Sequence, residues 1–219
     1  MKAAQTRALQ NKSHSRPDWF RIEAKGETAD VYLYDEIGAF GTSAGDFLAQ
    51  LSDLSKSTLD VHINSMGGSV FDGIAIYNAL RSHPRPVTTR IDSMAASIAS
   101  VIAQAGDHRV MVEHSQMMIH EAALGFALGT ATELRELADV LDTQSGIIAD
   151  IYADSGKGSK RHFRELMSAE TWFTDSEAVA EGLADEVWTP PAREIEETDV
   201  AAKVNWSEFL AADLTGVTT

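Results

Sequence analysis

Strands that alternate with helices in a repeating order predict an α/β fold built from β–β–α units. Three observations carry the prediction. A strand, a glycine turn and an amphipathic helix follow one another between residues 59 and 80. The same order returns between 87 and 105, and two closely spaced strands come next, His108–Val112 and Gln116–His120. A chain of 219 residues can bury one substantial core, with loose ends on either side.

Ordered structure is expected to begin near Asp18-Trp19-Phe20, and residues 30–35 (DVYLYD) read as a first strand. Gly38 and Gly41 mark a turn, after which Thr42 or Ser43 can cap a helix through Phe47, Leu48, Leu51 and Leu54. Leu59–Asn64 is a short strand, and Met66-Gly67-Gly68 turns into a helix carrying Val70, Ile74, Tyr77 and Leu80. Val87–Ile91 is the next strand; a small-residue turn leads to an apolar helix from Ser97 to Ala105. Residues 130–154 read as one long helix, with Leu134, Leu137, Val140, Leu141, Ile147, Ile148 and Ile151 at helical spacing. Short helices near 160–167 and 175–182 precede a last strand, Ala184–Trp188, and Pro190-Pro191 ends the order.

The expected organisation is therefore a flexible basic leader (1–17), one domain (18–188) and an acidic, mobile tail (189–219). Residues 1–25 hold six Lys/Arg against two Asp/Glu, while the whole chain carries a net charge of −15. That balance argues against nucleic acid and anionic membranes as partners. No apolar run reaches the roughly 18 residues of a membrane helix. With no cysteine, the chain has neither disulfides nor a thiol nucleophile, which suits a cytoplasmic setting. Of the seven histidines, His14, His62, His83, His108, His114 and His162 form no HExxH-like pair, so no metal or other cofactor is expected. These six read as surface or turn residues. Trp172 reads as core, and the strand methionines Met117 and Met118 as core or subunit contact.

The remaining histidine belongs to a different pattern. In Ile91-Asp92-Ser93-Met94-Ala95-Ala96-Ser97-Ile98, Ser97 stands where a strand gives way to an apolar helix. The first N–H groups of a helix lack intrahelical partners, so they can stabilise an oxyanion next to a serine nucleophile. Taken alone, the segment fits a helix N-cap better than a nucleophile. Its company changes the weighing. The turn at Gly67-Gly68 brings backbone amides close to a ligand. His120 ends a strand 23 residues after Ser97, where it can act as a base.

The runs INSMGGSVFDGIAIYNAL, MAASIASVIAQAG, MMIH and ETWFTDSEAVAEGLAD, in this order across residues 19–188, resemble the proteolytic subunit of the Clp protease. More narrowly, they are similar to ClpP-like serine proteases of phage and prophage head-assembly modules. The resemblance implies a ClpP/crotonase-like spiral of β–β–α units with a protruding handle helix, here 130–154. It places the nucleophile on Ser97, nine residues before Gly106, which excludes Ser93, and the base on His120. Oxyanion donors fall on the backbone N–H groups of Gly68 and Ile98, and Ser69 and Val70 fall on a strand edge that binds the substrate backbone. The third triad member falls on Glu170 where the family has aspartate; Asp175 is the rival, although it suits the N-cap of the helix from Ser176. Met66 stands where the family turn has proline.

The resemblance further implies a polypeptide substrate, a homo-oligomeric ring of six or seven subunits, single or stacked in pairs, and a role in trimming phage scaffold or capsid protein in the host cytoplasm. Residues 1–25 do not match the stretch that docks an unfoldase, so no ATPase partner is carried over. The rival readings are a crotonase-like acyl-CoA enzyme, which shares the spiral and its backbone oxyanion donors, and an inactive assembly scaffold.

Overall fold

The computed structural model describes residues 19–38 and 43–191. The leader 1–17, Gly41, Thr42 and the tail from 192 onward, with Trp206, Phe209 and Leu210, lie outside the described residues. The chain divides into two units, Met1–Thr189 and Pro190–Thr219; the architecture below belongs to the first.

The first unit is mixed α/β. An eight-stranded sheet runs in the order β1-β2-β3-β4-β5-β8, with β6 and β7 branching from β4. β1 (Phe20–Lys25) and β2 (Thr28–Tyr34) form an antiparallel hairpin. β3 (Thr58–Ser65), β4 (Val87–Ala96) and β5 (His108–Val112) continue the sheet in parallel, linked by helices α1 (Ala44–Ser52), α2 (Val70–Arg81) and α3 (Ile98–Ala103). The long helix α4 (Ala131–Ser155) and α5 (Lys160–Ser168) precede β7 (Thr171–Thr174), α6 (Asp175–Ala180) and β8 (Glu186–Trp188).

Period-two alternation decides which face of each strand is buried. In β3, Leu59, Val61, Ile63 and Ser65 point into the core, where they meet Phe47 of α1, Ile76 and Leu80 of α2, and Ile98 and Ile102 of α3. Helix starts are well capped. Thr130 and Glu133 form a capping box on α4, and Ser43 and Asp46 do so on α1, an arrangement worth about 1 kcal/mol per helix. Only the second half of α4 is buried, through Ser145, Ile148, Ala149, Ile151 and Tyr152, whereas Leu134 and Val140 in its first half are exposed.

Several expectations need correction. The strand expected at 87–91 runs on to Ala96, because Met94–Ala96 pair with β6 (Gln116–Ile119) after Thr88–Ile91 have paired with β5. Strands β1 and β7 were not expected. The N-cap of α6 is Thr174, whose side chain accepts from the Glu177 N–H, so Asp175 is the first helical residue. Trp172 is 46% exposed, because strand alternation turns Phe173 inward instead.

Candidate active site

Three parallel strands end together, and the loop after each contributes one part of the site. β4 ends at Ala96 and delivers Ser97; β6 ends at Ile119 and delivers His120; β3 ends at Ser65 and delivers the turn at Gly67-Gly68. Carboxyl ends of parallel strands are where open α/β sheets bind ligands.

Ser97 occupies the N-cap position of α3, yet it makes no capping hydrogen bond, and its backbone lies at φ 55°, ψ −130°. Such a conformation costs a residue with a Cβ about 1–3 kcal/mol and survives only when neighbouring contacts hold it. Here the Ser97 N–H donates to Met118 O at 3.0 Å, extending the β4–β6 ladder, while its carbonyl accepts from the Ser100 N–H at 3.0 Å. The hydroxyl is thereby turned out of the helix, and Oγ lies 2.7 Å from His120 Nε2. Ser93 is an exposed residue of β4 with no partner among the described residues.

The glycine turn is fitted against this serine. A Cβ on Gly67 would lie 2.7 Å from the Ser97 Cβ and 2.9 Å from Ala96 O, and Gly67 sits at φ 102°. Gly68, at φ 143°, would place a Cβ 2.2 Å from Ile37 O. The flanking amides are engaged: Gly67 N–H donates to Ser65 Oγ and Ser69 N–H to Ile37 O. The Gly68 N–H has no protein acceptor among the described residues, and the Ile98 N–H belongs to the unpaired first turn of α3. Gly68, Ser97, Ile98 and His120 line one small cavity of about 40 Å³.

Two larger cavities meet that one at Gly68. One, of about 230 Å³, is apolar and lined by Val70, Phe71, Leu124, Leu137, Val140 and Leu141. The other, of about 560 Å³, lies beside Asp35, Glu36, Asn64, Met66 and Met94. The loop after His120 is tied to α4 and α5. Ala122 N–H donates to the buried Ser145 Oγ at 2.9 Å, and Glu121 pairs with Arg164 at 3.1 Å.

Ser69 and Val70 lie where the glycine turn passes into α2. Ser69 is the N-cap of α2, its N–H is given to Ile37 O and its carbonyl accepts from Gly73; Val70 begins the helix. The Val70 N–H, in the first turn of α2, has no intrahelical acceptor.

Glu170 is placed by register. The antiparallel β6–β7 ladder ends with Ile119 opposite Thr171, and His120 and Glu170 are the residues that immediately flank that last pair. Glu170 has a positive φ of 49° and donates its N–H to Met167 O, but among the described residues no hydrogen bond joins its carboxylate to His120. Asp175 lies at the opposite end of the same ladder. Its carboxylate accepts from the His114 N–H at 2.7 Å and the Ser176 N–H at 2.5 Å, which hold it below the usual carboxylate range against the opposing effect of burial.

Residues the sequence reading missed stand behind the serine. Tyr152 OH lies 2.7 Å from Ser100 Oγ, and Ser100 Oγ donates to Ser97 O at 2.5 Å. Their signal was a hydroxyl pair at otherwise apolar helical positions. Among the described residues no group of three or more His, Cys, Asp or Glu could hold a metal ion, and no helix is long and apolar enough to cross a membrane.

Fold and site together define a class: α/β proteins that offer a serine–histidine pair and free backbone donors at the ends of parallel strands, a constellation suited to acyl transfer. The chain belongs to the Clp protease family, a family of peptidases, whose sequence model matches residues 22–191. It is 35% identical over 142 residues to the ATP-dependent Clp protease proteolytic subunit 1 of Protochlamydia amoebophila, covering 63% of this chain and 68% of that one. Over 134 residues it is 33% identical to proteolytic subunit 3 of Rhodococcus jostii, with 60% and 66% covered. Against the Deinococcus radiodurans subunit the figures are 31% over 178 residues, 74% and 87%. The matches thus span from about two thirds to most of these relatives' lengths.

Proposed function

We propose that the chain is a serine endopeptidase with Ser97 as nucleophile and His120 as general base. The observation that carries this reading is the 2.7 Å contact between His120 Nε2 and Ser97 Oγ, made by a serine whose hydroxyl does no capping. His120 Nε2 takes the Ser97 proton as Oγ bonds to the substrate carbonyl carbon. The N–H groups of Gly68 and Ile98 hold the oxyanion. The tetrahedral intermediate then collapses, the leaving amine takes the proton back from Nε2, and water attacks the acyl-enzyme by the same steps. Glu170, which like His120 flanks the last pair of the β6–β7 ladder, is the group we assign to the Nδ1–H of the imidazolium once substrate is bound. The apolar cavity beside Val70 and Leu141 suits an apolar substrate side chain next to the scissile bond.

We extend the reading to a homo-oligomeric ring of six or seven subunits, single or stacked in pairs, acting in the cytoplasm. Exposed apolar side chains on α4 and the loop before it support an assembly: Leu124, Phe126, Leu128, Leu134 and Val140. The relatives are named ATP-dependent, whereas this chain has no G-x-x-x-x-G-K-S/T run, so ATP-driven unfolding would fall to a separate partner. Processing of phage scaffold or capsid protein rests on the motif resemblance alone.

The test is covalent labelling by a fluorophosphonate. Ser97 is expected to be the labelled residue, and Ser97→Ala is expected to lose both labelling and casein cleavage. An unlabelled chain that binds coenzyme A would overturn the reading in favour of a crotonase-like enzyme.

A further inference from the structure

Behind the candidate nucleophile lies a buried polar relay that the fold does not need. Ser100 and Tyr152 are 0% and 1% exposed, and each sits on an otherwise apolar helical face, Ser100 in α3 and Tyr152 in α4. Buried hydroxyls cost free energy unless paired, and an apolar pair of the same shape would pack at least as well. The direction of the relay is fixed by its last member. A carbonyl only accepts, so the Ser100 proton goes to Ser97 O at 2.5 Å; Tyr152 must then donate to Ser100 Oγ at 2.7 Å. Burial pushes the Tyr152 phenol well above its ordinary pKa and keeps it a permanent donor.

Ser97 O is the carbonyl of the peptide whose nitrogen is the Ile98 N–H. No peptide bond in the described chain is cis, so this C=O and N–H point in opposite directions. Drawing the carbonyl back toward Ser100 aims the Ile98 N–H forward, into the cavity shared by Gly68, Ser97 and His120. It also adds a second hydrogen bond, beside that from the Ser100 N–H, to the carbonyl that sets the Ser97 ψ angle at −130°. A hydrogen bond to an amide carbonyl further strengthens the N–H of the same amide as a donor.

We propose that Tyr152 and Ser100 are positioning residues that orient and polarise the Ser97–Ile98 peptide, so that the Ile98 N–H meets the oxyanion as it develops. The proposal rests on the reading of Ser97 as nucleophile. Its effect belongs to the transition state: the relay touches no substrate atom, so substrate binding should hardly change while turnover falls.

The experiment compares wild type, Ser100→Ala and Tyr152→Phe, the last removing only an oxygen. The readouts are hydrolysis of a fluorogenic peptide amide with an apolar residue before the scissile bond, affinity for the matching peptide boronate, which forms a tetrahedral adduct on serine, and thermal melting. Loss of a direct oxyanion donor costs 10²–10³ in kcat, so loss of its support is expected to cost about tenfold in Ser100→Ala and about threefold in Tyr152→Phe. KM should stay within about twofold, and boronate affinity should fall by the same factors as kcat. Unchanged kcat and boronate affinity in the two variants would overturn the proposal, as would a rise in KM matching the loss, which marks general damage. Should Ser100→Ala fail to fold, Tyr152→Phe decides by the same criteria. Failure of the underlying reading looks different: wild type itself would then resist fluorophosphonate at Ser97.

Discussion

His62 and His120 are both delivered by parallel strands, and their surroundings are nearly complementary. His62, in the middle of β3, has the carboxylate partner that His120 lacks. Its Nδ1 lies 2.8 Å from Asp92 Oδ2, Tyr34 OH donates to the same oxygen at 2.6 Å, and the Tyr32 ring stacks on it at 4.8 Å between centroids. His120 has what His62 lacks: a free serine hydroxyl at 2.7 Å and the unpaired amides of a helix start. A histidine–carboxylate pair on the flat of a sheet fixes structure. A histidine at the carboxyl end of a strand, without a carboxylate yet in contact, faces the place where a substrate can enter. Position in the sheet separates the two more sharply than inventory does.

The largest expected effect tests that contrast directly. Ser97→Ala or His120→Ala should lower kcat/KM for a peptide substrate by about 10⁴ or more, whereas His62→Ala should leave it within about twofold. Equal losses for His62 and His120, measured in folded protein, would break the comparison. Next comes Gly67→Ala. A Cβ there meets Ser97 and Ala96 O and is strained at φ 102°, so fluorophosphonate labelling of Ser97 should slow by about 10². Glu170→Ala sharpens the comparison from the other side. It should lower kcat about tenfold with KM unchanged, and an unaltered kcat would define a serine–histidine dyad.

The smallest effect belongs to the structural pair. The Asp92 hydrogen bond raises the His62 pKa, so the stability it brings is complete below the ordinary histidine value of about 6.5 and is lost as pH rises through the raised value. For Asp92, burial alone would raise the pKa, but hydrogen bonds from His62 and Tyr34 overcome it and the net shift is downward. Its contribution is therefore present above the ordinary carboxylate range and is lost as pH falls through the lowered value. Asp92→Asn should lower Tm by about 3 °C between those limits and by less at pH 9, read from melts across pH.

Much of this was legible in residue patterns. Alternation and helical spacing predicted β3, α2 and α4 to within about a residue or two. The Gly67-Gly68 turn, Ser97 and His120 stand out in the residue pattern, and they meet at the ends of three strands. Phe20–Lys25 also alternates apolar with charged residues, so a strand signal for β1 is present in the sequence. What stayed hidden depended on pairing across the sheet. Nothing local to Thr171–Thr174 says that it lies antiparallel to β6, so Trp172 was misread as core. His62 was misread as a surface or turn residue because its partner, Asp92, lies 30 residues away.

The divided partnership of β4 has a consequence for how such chains are compared. Thr88 pairs with His108, but Met94 pairs with Gln116, so the excursion at 113–115 adds two residues while both stretches keep to the same edge of β4. The ladder works as a ruler: it is the pairing of Ala96 with Met118, and not the count of residues between, that sets His120 beside Ser97. Extra chain inserted at 113–115 would leave the pair in place, while a slip of a single residue in β6 would turn His120 to the other face of the sheet. Chains with quite different serine-to-histidine spacings can therefore carry the same pair, and a search keyed to one fixed spacing would pass them by.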